Sequence, residues 1–69
     1  MKLSARNQLK GTVTEIKEGA VNGVVKLDIG GGHILCAVIT MDSIRELGLA
    51  VGKEASAVIK ASSVMIAVE

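Results

Sequence analysis

Sixty-nine residues form one domain near the size at which a single core is only marginally stabilising, and one cysteine among them excludes an internal disulfide. A formal charge of +1 with no Phe, Tyr or Trp excludes a basic stripe or stacking platform for nucleic acid, and one His beside one Cys is too few ligands for a structural zinc. Almost half the residues are apolar in a sphere with little interior, so surplus apolar surface predicts an obligate oligomer.

No apolar run approaches the ~20 residues of a membrane span, and Met1-Lys2-Leu3-Ser4-Ala5-Arg6 lacks the apolar stretch of a signal peptide. With the free cysteine, this predicts a soluble cytoplasmic protein.

The chain opens on Ser4-Ala5-Arg6-Asn7-Gln8: a hydroxyl, a guanidinium and two amides without a carboxylate, a composition suited to facing an anion. Its complement is Lys60-Ala61-Ser62-Ser63, and because so small and apolar a domain needs neighbours, the cluster is expected to complete its site with Lys60 from another subunit. Gln8 to Lys17 alternates from Leu9 through Gly11 to Val13, then slips before Ile16. That pattern predicts a long strand with a bulge near Thr14-Glu15, and Gly11 marks a close backbone approach. Glu18-Gly19-Ala20 turns the chain.

Val21 to Ile29 is the second strand, with Val25, Leu27 and Ile29 on one face. Gly30-Gly31-Gly32 supplies positive φ for a hairpin. A phosphate-cradling loop would lead into a helix, and here a strand follows. Ile34 to Thr40 is apolar on both faces, so it is expected either at the centre of the sheet or pressed against another subunit. Met41 to Leu47 is the only helix, with Thr40 as N-cap, Met41, Ile44 and Leu47 as its buried stripe, and Gly48 at C′.

Gly48-Leu49-Ala50-Val51-Gly52-Lys53 fails as a P-loop: it is one residue short between glycines, and Glu54 stands where a hydroxyl should hold magnesium. Glu54 to Lys60 is the fourth strand. Ser63 to Val68, with Val64, Ile66 and Val68 on one face, is expected as the fifth. Five strands with a short helix between the third and fourth give an all-β, five-stranded OB-type Greek-key barrel spanning residues 1–69 as a single domain.

An enzyme needs acid, base or nucleophile held together. His33 and Cys36 lie three apart on one strand and project to opposite faces, and the carboxylates show no pairing pattern. No catalytic residue is assigned.

Ser4-Ala5-Arg6-Asn7-Gln8-Leu9-Lys10-Gly11 together with Lys60-Ala61-Ser62-Ser63-Val64-Met65-Ile66 closely resembles the molbindin (Mop) family of small cytoplasmic molybdate-binding proteins. The resemblance spans the chain, including Ile39-Thr40-Met41-Asp42-Ser43. It implies an OB-type fold, a homo-hexamer built as a trimer of dimers, and molybdate or tungstate bound between subunits for storage, homeostasis or delivery. The oxyanion-binding residues it implies are Ser4, Ala5, Arg6, Thr40, Lys60 and Ala61, with Ala5 and Ala61 able to offer only backbone N–H groups. Molybdenum would be held as an oxyanion, without direct protein–metal bonds.

The chemistry is consistent. Molybdate is a fully deprotonated tetrahedral dianion, so its oxygens only accept hydrogen bonds, and a donor-only shell suits it. Thr40 faces two demands, capping the helix and contacting the ligand. The rival expectation is a structural or regulatory oligomerisation module in which oxyanion binding is incidental.

Overall fold

The structure, a computed structural model, describes residues 2–69. Four antiparallel strands form one sheet in the order β3-β2-β1-β4: β1 Asn7–Lys17, β2 Asn22–Gly30, β3 His33–Thr40 and β4 Glu54–Ile59. The helix α1, Met41–Glu46, joins β3 to β4. A 3-10 turn over Ala61–Ser63 follows β4.

β1 organises the sheet. Its first half, Asn7 to Thr12, pairs with β4, and its second half, Thr12 to Lys17, pairs with β2. The register slips between Val13 and Glu15, so the expected bulge is present and Thr14 is the extra residue. A bulge sharpens local twist and lets one strand serve two neighbours around a curled sheet. Gly11 fits the same bend: a Cβ there would overlap the carbonyl oxygen of Asp28 on β2. At the hairpin, Gly31 and Gly32 have φ of 62° and 81°, the left-handed pair that a two-residue turn of matching twist demands. The Asp28 carboxylate accepts the Gly30 N–H at 2.8 Å and fixes the approach to the turn.

The core is small. Val13, Val25, Leu27, Met41 and Ile44 are buried, and Ile16, Ile29, Leu35, Ile39, Leu49, Ala55 and Ala57 pack around them. α1 plugs one end of the curled sheet with Met41 and Ile44. Leu47 was expected in that stripe but is 61% exposed. The helix ends at Glu46, so Leu47 is its C-cap and faces an open groove instead. The failed P-loop match also has its explanation here. Lys53 donates to the carbonyls of Leu47 (3.1 Å) and Gly48 (2.9 Å), and its ammonium caps the end of α1.

Of the two alternatives for β3 the structure excludes the first: it is an edge strand, paired with β2 alone among the described strands, and not a central one. One further expectation is corrected. The fifth strand does not form within the chain. After the 3-10 turn, residues 64–69 run on without a ladder, with Met65 92%, Ile66 87% and Val68 92% exposed. A strand is defined by its partner, and here none is offered. The OB-type architecture holds with four strands, curled and left open between the edges of β3 and β4. Val25, Leu27, Leu35, Ala37, Ala57 and Ile59 are among the residues lining that opening, a cavity of about 300 Å³.

Candidate functional site

The register of β1 with β4 decides which predicted residues meet. The last rung of that ladder is Asn7 opposite Ile59. Arg6 precedes Asn7 and Lys60 follows Ile59, and because the strands are antiparallel both lie just beyond the same end of the sheet. Ser4-Ala5-Arg6 and Lys60-Ala61 are therefore neighbours within one chain, which corrects the expectation that Lys60 comes from another subunit: the antiparallel β1–β4 register brings the two ends together. Asn7 reinforces the junction by donating its amide to the Ile59 carbonyl at 3.2 Å. Gln8 donates to the Ala5 carbonyl at 3.3 Å and folds the segment into a shallow hollow lined by Leu3, Ser4, Ala5, Arg6 and Gln8.

Charge at this end is one-sided. Among the described residues, Lys10 pairs with Glu54 (3.1 Å), Lys26 with Glu15 (3.8 Å) and Arg45 with Asp42 (3.3 Å). Arg6 and Lys60 take no carboxylate partner in that set. The 3-10 turn adds backbone donors. Its bonds run from Ser63 N–H to Lys60 C=O (2.9 Å) and from Val64 N–H to Ala61 C=O (3.2 Å), so it does not use the N–H groups of Ala61 and Ser62. The result is a hydroxyl, a guanidinium, an ammonium and main-chain N–H groups around one end of the sheet. Such a set can hold an anion whose atoms all accept.

Thr40 is elsewhere. It ends β3 opposite Asn22, at the end of the sheet where β1 finishes. The eleven residues of β1 lie between that end and Arg6, a contour of about 35 Å at the usual strand rise. One chain does not bring Thr40 to the other five residues.

The two demands on Thr40 prove compatible. Its oxygen accepts the Ser43 N–H at 3.1 Å as the N-cap of α1, and its hydroxyl lies 2.9 Å from the Ser43 hydroxyl. Capping uses a lone pair, not the proton. Whichever hydroxyl donates to the other, one O–H of the pair stays available to a ligand. Ser43 thus joins the candidate donors. In the sequence the spacing of Ser43 and Glu46 fits a capping box, a pattern that says nothing about a neighbouring hydroxyl and so does not single Ser43 out as a donor.

Ser4, Arg6, Thr40, Lys60 and Ala61 are all exposed, and Ala5 is half-buried. In open solvent a single ion pair is worth only about 1 kcal/mol at 4 Å, so these donors gain their strength once a second surface covers them. Among the described residues no group of His, Cys, Asp and Glu side chains could hold a metal ion, and no helix is long and apolar enough to cross a membrane.

Comparison with known proteins gives this arrangement relatives. The TOBE-domain family profile matches residues 3–66. A probable molybdenum-pterin-binding protein of Haemophilus influenzae is 56% identical over 69 residues, covering 100% of both chains. Among solved structures, MopII from Clostridium pasteurianum is similar with a TM-score of 0.91 at 46% identity, covering 97% of this chain and 100% of that one. The cytoplasmic molybdate-binding protein ModG, in a form with molybdate bound, is similar with a TM-score of 0.84 at 59% identity, over 88% of this chain and 43% of that one. Matched along nearly its whole length in sequence and in fold, the chain belongs to the TOBE-domain family and, within it, to the molybdenum-pterin-binding (Mop) proteins.

Proposed function

We propose that this protein binds molybdate, and the isostructural tungstate, between subunits of a cytoplasmic homo-oligomer that stores, buffers or delivers molybdenum. One observation carries the reading. Arg6 and Lys60, free of carboxylate partners among the described residues, stand beside Ser4 and the unused turn N–H groups at one end of the sheet, in a chain whose relative ModG has been solved with molybdate bound. The residues of the site are Ser4, Ala5, Arg6, Lys60 and Ala61 from one subunit and Thr40 from another, with Ser43 beside it.

Assembly is part of the proposal. Val64, Ile66 and Val68 alternate along an exposed segment, and an apolar groove stands open between the edges of β3 and β4. Residues 64–69 of one copy fit the groove of a second as its missing strand. Burying each of these three side chains is worth roughly 1.5–3 kcal/mol, given twice in a reciprocal exchange. The outer face of β3, where Ile34 and Val38 are exposed, remains for further contacts between such dimers. A hexamer built as a trimer of dimers uses both surfaces.

Donor-only shells favour anions without protons. Protonated phosphate would bring an O–H that finds no acceptor here. Titration calorimetry with molybdate in excess sulfate tests the function: saturable heat at a fixed number of sites per assembly is expected. Equal response to molybdate and sulfate would instead favour the oligomerisation module with incidental anion binding.

A further inference from the structure

We propose that Asn7 is a specificity-determining positioning residue: without touching the anion, it fixes the separation of the Arg6 and Lys60 arms and so the size of oxyanion the site accepts. The inference rests on the oxyanion reading above and goes beyond it in assigning a residue outside the donor set.

Three observations carry it. First, Asn7 and Ile59 form the terminal rung of the β1–β4 ladder, and Arg6 and Lys60 are the residues immediately beyond it. Second, the Asn7 amide donates across that rung to the Ile59 carbonyl at 3.2 Å, linking positions 52 residues apart, and the side chain is half-buried, where such a bond is partly shielded from water. Third, beyond this rung no hydrogen bond joins residues 2–6 to residues 60–69 among those described. Ends of ladders open most easily. The spacing of the two cationic arms therefore depends on whether this rung stays closed.

Selectivity follows from that rigidity. Molybdate and sulfate carry the same charge and shape and differ chiefly in size, so discrimination requires donors held at a fixed spacing. A loose end would let the arms close on the smaller anion. Gln8 makes a local bond to the Ala5 carbonyl that is exposed and longer, at 3.3 Å.

The test is competitive calorimetry on the intact assembly with molybdate and with sulfate, comparing wild type, Asn7→Ala, Asn7→Gln and the distant control Thr14→Ala. Thr14 makes a comparable side-chain bond to the Lys26 carbonyl (3.4 Å) away from the site. Asn7→Ala is expected to weaken molybdate binding about tenfold and to narrow the molybdate-to-sulfate ratio by a similar factor, with the oligomeric mass unchanged. Asn7→Gln, which keeps an amide donor, should recover most of the ratio, and Thr14→Ala should keep all of it. If Asn7→Ala does not assemble, Asn7→Leu, which keeps the bulk and removes the donor, carries the same expectation. A wild-type ratio in the donor-less variant, whatever its thermal stability, overturns the role of Asn7 while the oxyanion reading stands. Absence of molybdate binding by the wild type overturns both.

Discussion

Lys53 and Lys60 show how placement decides what one residue type does. The Lys53 ammonium is committed to two carbonyls at the end of α1, whereas Lys60 follows the last rung of β4 and has no carboxylate partner among the described residues. Lys60→Ala, and likewise Arg6→Ala, is expected to weaken molybdate binding at least tenfold while the assembly survives, checked by calorimetry alongside sedimentation. Lys53→Ala should do the reverse, lowering unfolding stability by about 1 kcal/mol in denaturant titration with molybdate affinity retained. Gly11→Ala belongs with the second group. Its Cβ would meet the Asp28 backbone, which cannot yield as a side chain can, so a loss of about 1–3 kcal/mol is expected. At this scale the sequence was readable where a residue's neighbours are sequential. Ser4, Arg6 and Lys60 announce themselves by what surrounds them. Ser43 does not, because its relevance depends on a hydroxyl three residues earlier across a helix cap.

At the scale of elements, alternation located β1, β2 and β4, and a continuous apolar run located β3. A slip in the alternation located the bulge to Thr14-Glu15, and Gly30-Gly31-Gly32 marked the hairpin whose turn is Gly31-Gly32. The same rule, applied to Ser63–Val68, gave a fifth strand that this chain does not build. Alternation reports that a segment suits a two-faced ladder; it is silent on which chain supplies the other side. β3 carries the same lesson, since its two apolar faces indicated burial and the topology puts it at an edge. The α1 cap has its own test. Thr40→Ser keeps both the oxygen that accepts from Ser43 and the proton for a ligand, so stability and affinity should stay near wild type. Thr40→Val removes both, and a loss of about 1 kcal/mol is expected in thermal or denaturant unfolding together with weakened molybdate binding.

For the whole molecule, five buried side chains among the described residues and an exposed apolar tail are what the proposed assembly would complete. Thr40 and Lys60 sit at opposite ends of the sheet, so the proposed site, which uses both, requires two copies, and in that proposal assembly and binding share a surface. Removing residues 64–69 should then dissolve the oligomer, seen as a fall in sedimentation mass, and abolish binding with it, although Ser4, Arg6, Thr40 and Lys60 all remain. The central claim is that an oxyanion of molybdate size is held between subunits. Calorimetry with molybdate in excess sulfate, on protein whose oligomeric mass has been determined, tests it most directly. The account predicts saturable binding with a whole number of sites per assembly, unaffected by sulfate. Heat that sulfate abolishes, or equal binding by a dissociated single chain, would contradict it.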